Sequence, residues 1–502
     1  MIARRLPQAE AWLEPVYNRM GNSGRKAALA ALGSMVFAAP ALSSGPGRPN
    51  IVVIITDQQQ QGKLSYYGDT GLNTPWMDSI ARDGYSFTNA RCAFPLSMPQ
   101  RLCMFTGLYP STFNLRVNPD NGNRDVVEWD KLEQWGPNTL GQLFKSAGYD
   151  TFYGGKSHLP WRDDNNSPEK YGFTDFYADE DNRRNLLGPD AAEFLLTKQD
   201  NGKPFLMVVS YINPHDICEF DDFVDLPHMD PKRRKVKIPG LSRVSHYIYE
   251  TYRYPDREAF FNEICPQLPD NYELTDHAPD GMPGHLSPYT KEQWQLHRWV
   301  YNRLIEEADT DIAPVLLALD KGGYRDNTIV IFLSDHGDMD GAHRREHKSV
   351  PYEEAQRVPF IFSGPGIPKG VIDTRTSVNA GVDLLPTLCD FASIPVPEGC
   401  EGKSLKDIIT GKSPSINRKY VFCEGANWFQ VIEDGRYKLT LLEVMDNALM
   451  LVDLKEDMGE MYNLAGKQEY AEIKDRLLKV LFDDLKRRGI EPRTDNYGKA
   501  HY

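Results

Sequence analysis

The sequence has no Cys-x-x-Cys pair, and its seven cysteines (92, 103, 218, 265, 389, 400 and 423) are scattered and odd in number. Neither a zinc ribbon nor a disulfide scaffold is expected from that pattern. Basic residues are outnumbered, 57 against 71, leaving a formal charge of −14 that argues against nucleic acid as a partner. Internal repeats and low-complexity stretches are missing, and no segment beyond residue 41 reads as a membrane span, so no stable membrane insertion is expected.

One short apolar run stands near the beginning. Arg25-Lys26 precede "AALAALGSMVFAAPA", residues 27–41, ending in Ala39-Pro40-Ala41. A charged start, an apolar stretch too short to span a bilayer and an A-x-A site are the pattern of an export signal. Residues 1–47 are therefore read as leader and signal peptide, and the mature protein as periplasmic or secreted.

The remaining chain is long enough for a large core. "IVVIITDQ" (51–58), "YDTFYGGKSH" (149–158), "FLMVVSYINPH" (205–215) and "TIVIFLSDH" (328–336) each set polar chemistry just beyond a short apolar run. Such runs suit strands buried on both faces, and helical patterns at Thr139–Ala147 and Trp299–Lys321 lie between them. The alternation predicts an α/β domain over 48–412 with a mostly parallel, doubly wound sheet. Ligands bind beyond the carboxyl ends of such strands, so the four polar tails should converge on one crevice. Residues 216–298, rich in Pro, Asp and Tyr, read as surface loops and short helices, with a basic run at Lys232–Lys235. From 413 to 502 short strands with an Asp434-Gly435 turn and a helix carrying Ile473, Leu477, Leu481 and Leu485 predict a smaller α+β subdomain with an antiparallel sheet.

Asp57, Gln58, Asp335 and His336 offer carboxylate, amide and imidazole groups from two strand ends, a set able to hold one divalent cation. Lys156, His158, His215 and Lys348 fall at the same edge. A cationic crevice in an acidic protein suits a tetrahedral oxyanion, sulfate or phosphate. "PLSMPQRLCMFTG", 95–107, begins a helix in which Pro99 suits the first turn and Ser97 lies near the N-cap. Arg101 returns to the same face one turn later.

Ser97-Met98-Pro99-Gln100-Arg101, with Thr106-Gly107 and Tyr109-Pro110 after it, resembles the [Cys/Ser]-x-Pro-x-Arg signature of the formylglycine-dependent sulfatases. "PNIVVIITDQ", "GGKSHL", "NPH", "SDHGD…K" and "LVDLKEDMGEMYNLA" follow in that family's order, so the resemblance runs from about Pro49 to about Lys486. It implies an alkaline-phosphatase-like fold and hydrolysis of sulfate esters, most naturally on a sulfated carbohydrate. It also implies that Ser97 is oxidised to formylglycine (3-oxoalanine) by a radical-type maturase. Asp57, Gln58, Asp335, His336 and residue 97 would hold a divalent cation. Calcium is the family's ion; the imidazole leaves manganese open. By the same resemblance Arg101 holds the hydrated aldehyde and Lys156 the sulfate oxygens. His215 and Lys348 serve the departing alcohol, and His158 takes the proton that regenerates the aldehyde. Two positions depart from the common pattern: Gln58 where many members have Asp, and His336 where many have Asn. Alternatives from other classes are a phosphatase or phosphonate ester hydrolase on the same superfamily fold, and an inactive protein that only binds sulfated glycans.

Overall fold

The computed structural model describes residues 47–68, 70–119, 124–178, 186–223, 242–273, 286–443 and 448–492. The expected export signal and the basic run Lys232–Lys235 lie outside these residues. Among the described residues no helix is long and apolar enough to cross a membrane.

Eight strands form the principal sheet. They are β1 (Asn50–Asp57), β2 (Gly84–Phe87), β3 (Asp150–Gly155), β4 (Thr174–Ala178), β5 (Phe205–Pro214), β6 (Thr328–Ser334), β7 (Phe360–Ser363) and β8 (Val371–Asp373), in the order β4-β3-β5-β1-β6-β7-β2-β8. The five from β4 to β6 are mutually parallel; β7 runs against both of its neighbours. The four apolar runs of the sequence are therefore adjacent strands. β1 and β6, rich in Val and Ile, are buried on both faces along their whole length, and β5 nearly so, whereas β3 carries no Val or Ile and is half-buried at Asp150 and Phe152.

The two faces carry different cores. Ile51, Val53 and Ile55 of β1 point to one side, toward helices α2 (Ser97–Thr106) and α3 (Leu140–Ser146). Val52 and Ile54 point to the other, toward α1 (Pro75–Arg82), α4 (Leu187–Thr197) and the second half of α6 (Lys291–Lys321). Burying these side chains stabilises the layered arrangement by about 1.5–3 kcal/mol each.

Two expectations need correction. The long helix begins at Lys291, not Trp299, because Thr290 and Gln293 form a capping box at its start. In 216–298 the expected short helices are present, but they are not confined to the surface. Helix α5 (Ser242–Glu250) and the first turns of α6 enclose a third core containing Phe220, Val244, Ile248, Phe260 and Trp294. On the other side of the sheet, α7 (Leu384–Phe391) covers α2.

The C-terminal sheet is a four-stranded antiparallel meander: β9 (Tyr420–Gly425), β10 (Trp428–Glu433), β11 (Tyr437–Leu442) and β12 (Ala448–Asp453). Asp434 and Gly435 turn between β10 and β11 with φ of 48° and 69°, the left-handed pair such a tight turn needs. One face packs on α8 (Ala471–Arg487) through Leu477, Leu481 and Leu485; the other packs on Met339, Ala342, Val350 and Tyr352.

Candidate active site

The parallel register sets the site. Thr56 of β1 pairs with Ser334 of β6, so Asp57 and Asp335 leave neighbouring strand ends at one height. Helix α2 starts above them. Leu96 is its N-cap, so Ser97, expected near that position, is the first residue of the helix. The Ser97 Oγ lies 3.2 Å from Asp57 Oδ2 and 3.1 Å from His336 Nε2. Nδ1 of His336 donates to the Gly337 carbonyl at 2.9 Å, which leaves the Nε2 lone pair facing residue 97. Burial lowers the His336 pKa against the pull of Asp335 and Asp57, favouring this neutral form.

Beneath the serine, Arg101 is fully buried and completely engaged. Nε donates to Asp335 Oδ2 at 3.0 Å and one terminal nitrogen to Asp57 Oδ2 at 3.1 Å. The other donates to the Lys156 carbonyl at 2.8 Å and Ser210 Oγ at 2.7 Å. Lys156 Nζ comes within 2.6 Å of Asp57 Oδ2. Burial opposes ionisation of Asp57, but Lys156 and Arg101 hold its carboxyl well below the usual range.

Ligand atoms of Asp57, Asp335 and His336 all lie within 4.8 Å of one another and are buried. Two hard oxygens, one imidazole nitrogen and the nearby residue-97 oxygen fit a divalent cation. Gln58 stands beside them at φ 74°, its N–H on Asp335 Oδ1. Its amide has other partners: Nε2 donates to Asp338 Oδ2 at 2.6 Å, and Oε1 accepts from Lys348 Nζ and from the Cys218 thiol.

His158, His215 and Lys348 each lie near enough to Asp57 for its charge to act on them. Burial, with Lys156 and Lys348 adding to it, holds His215 well below the ordinary histidine range. For His158 burial, Lys156 and Arg101 bring the value down to about 3, and its Nδ1 is buried without a hydrogen bond. Lys348 keeps its proton: burial is outweighed by Cys218 and Asp57.

Three contributors escaped the sequence reading. Ser210 holds Arg101, Asp338 holds Gln58, and Cys218 lies 3.3 Å from Lys348 Nζ. Burial pushes the Cys218 thiol up, yet Lys348 and His347 bring it down to about 7. Its position three residues beyond His215, one turn along the segment that continues Asn213-Pro214-His215, was the available signal. Farther out, the Tyr289 hydroxyl lies against Asp221 and Glu346, which with His347 form a second carboxylate–imidazole group.

Comparison with known proteins agrees over nearly the whole described chain. The sulfatase family profile matches residues 49–394, and the profile "N-sulphoglucosamine sulphohydrolase, C-terminal" matches 341–487. A delta 4,5-hexuronate-2-O-sulfatase of Bacteroides thetaiotaomicron is 29% identical, covering 85% of this chain and 86% of its own. An ulvan-active sulfatase of Formosa agariphila is 28% identical over 91% of this chain and 85% of its own. The solved structure of a 2-O GAG sulfatase superposes with a TM-score of 0.69 at 27% identity, covering 88% of this chain and 93% of that one.

Proposed function

This chain belongs to the sulfatase family and is a sulfuric ester hydrolase; we propose from that premise that Ser97, as formylglycine, is its nucleophile and a sulfated carbohydrate its substrate. The observation that carries the reading is the setting of Ser97 Oγ between Asp57 and His336, with Arg101 below. Relatives that act on hexuronate and ulvan sulfates support the carbohydrate.

A cation held by Asp57, Asp335 and His336, calcium by family habit, would withdraw charge from the sulfate oxygens. Formylglycine offers a hydrated aldehyde, whose second hydroxyl allows sulfate to leave without hydrolysis of a serine ester. Lys156 neutralises the sulfate oxygens from the strand-β3 side. Arg101 holds both carboxylates in place through its Nε and a terminal nitrogen, so the site needs no reorganisation as charge develops. His215, neutral in its cationic surroundings, donates a hydrogen bond to the ester oxygen rather than a full proton. Lys348, which keeps its proton, supplies the positive charge there. His158, held neutral, takes the proton from the residue-97 hydroxyl as sulfate departs. Gln58 connects Lys348 to the cation-holding edge through its amide instead of acting first as a ligand. Export through the 27–41 stretch and maturation by a radical-type enzyme complete this reading.

The test is peptide mass spectrometry after anaerobic co-expression with a radical maturase. The tryptic peptide Cys92–Arg101 should be lighter by two hydrogens at Ser97. That protein should then hydrolyse sulfated saccharides and aryl sulfates, with calcium or manganese, in preference to aryl phosphates. An unmodified Ser97 in a protein that cleaves only phosphates would replace the reading with a phosphatase. Tight binding of sulfated glycans without turnover would replace it with a binding protein.

A further inference from the structure

Arg101 lies within α2 and Lys156 follows β3 directly, but Lys348 belongs to an irregular segment. Its neighbours His347 and Ser349 have φ of 65° and 72°, and Asp340, His343 and Arg344 upstream are also left-handed at 44°, 52° and 52°. Such conformations cost non-glycine residues on the order of 1 kcal/mol each and persist only where the surroundings hold them. Three bonds grip the backbone on either side of Lys348. The Met339 N–H donates to the His347 carbonyl at 2.7 Å, and the Ser349 N–H to the carbonyl of Pro95, two residues before Ser97, at 2.9 Å. The third comes from the C-terminal sheet: the Trp428 indole N–H donates to the Ser349 carbonyl at 3.3 Å.

Trp428 is completely buried, and its ring position is closed off from β9. Gly425 pairs with it across the strands, and a Cβ there would come within 2.2 Å of the indole. Two residues along the same strand, Gln430 donates to the Pro351 carbonyl at 3.1 Å and to Thr440 Oγ1 at 2.8 Å. The inward face of β10 thus holds two carbonyls of the segment that follows Lys348.

We propose that Trp428, supported by Gln430, is a positioning residue for the sulfatase reaction: it fixes Ser349, and through it the place of Lys348 relative to the turn that carries residue 97. The inference rests on the role given to Lys348 above. Because Lys348 serves the departing oxygen, a displaced Lys348 costs most where that oxygen is most basic.

The experiment compares wild type, Trp428→Phe, Gln430→Met, Lys348→Ala and the Trp428→Phe/Lys348→Ala double variant, all matured, on 4-nitrophenyl sulfate and phenyl sulfate. Trp428→Phe is expected to lower kcat about tenfold on phenyl sulfate and no more than about twofold on the nitrophenyl ester. In the Lys348→Ala background it should add no further loss. Equal losses on both esters, or additive losses, overturn the proposal. Gln430→Met carries the same test if the tryptophan variant does not fold. Amide hydrogen exchange over 339–349 gives an answer independent of turnover: Trp428→Phe should raise exchange at Ser349, and unchanged protection overturns the proposal. A wild type inactive on both esters would count against the sulfatase reading itself, with the exchange result still deciding whether Trp428 holds the segment.

Discussion

Ser97 Oγ stands 3.1 Å from Nε2 of His336, a residue 239 positions further along the sequence. Two parallel strands in register and one helix start are enough to close that distance, because each delivers its first polar residue at the same level. The oxygen of residue 97 is thereby part of the same buried group as Asp57 and Asp335.

Ser97→Ala should abolish turnover, since no neighbouring side chain can substitute for the nucleophile. The variant should keep the circular dichroism and thermal unfolding profile of the wild type, because the lost hydroxyl caps nothing. Retained hydrolysis would assign the nucleophile elsewhere.

Arg101→Lys should fail despite conserving charge. A single ammonium cannot reach Asp335, Asp57, Ser210 and the Lys156 carbonyl together, and two buried carboxylates lose their fork-shaped partner. Unfolding by denaturant in EDTA should show a loss on the order of 3 kcal/mol. Added calcium should narrow the gap to wild type by binding the folded variant. A gap indifferent to calcium would count against a cation at Asp57 and Asp335.

The pH dependence of sulfate release should lack an acid limb near the ordinary histidine value. His158 must be unprotonated to accept a proton, and burial beside Lys156 and Arg101 brings its pKa down to about 3. The base therefore remains competent as pH falls through 6.5 toward that value. Single-turnover release measured from about pH 5 to about pH 8 should be flat in this respect. A limb near the ordinary histidine value that disappears in His158→Ala would contradict the assignment.

Lys438→Met should weaken the junction between the sheets. Lys438 is buried between Glu353 at 3.0 Å and Glu460 at 2.8 Å, and Glu353 also binds Arg91. Removing the lysine should cost about 3–5 kcal/mol at neutral pH. Burial disfavours ionised Glu353, but Arg91 and Lys438 hold its carboxyl well below 4.5. The stability it contributes is present above 4.5 and fades as pH falls toward the folded value, so the difference between variant and wild type should shrink in acid. Urea midpoints at about pH 7 and about pH 4 would show it.

What could be read from the chain was whatever depends on local pattern. Short apolar runs gave away four of the five parallel strands, and the polar residues just beyond β1 and β6 then marked where Asp57 and Asp335 come together. Asp434-Gly435 and the four-residue spacing of Ile473 to Leu485 behaved likewise. The start of α6 was missed because Trp294 and Leu296 face a separate core with α5, so their pattern answers to another partner than the sheet. The left-handed backbone at His343, Arg344 and His347 had no glycine or asparagine to announce it. The bonds of the Gln58 amide to Asp338 and Lys348 could not be foreseen, because they join residues that only the folded chain brings together.

Ser97 is 2% exposed, and Met98, Pro99 and Arg101 are buried around it. A second enzyme that needs main chain on both sides of the serine cannot reach it in the folded protein. If Ser97 is oxidised as the proposed reaction requires, that oxidation is a race against folding. A chain that closes α2 onto its sheet first is fixed as a serine protein for its lifetime. For this molecule, rapid folding is a way to be inactive.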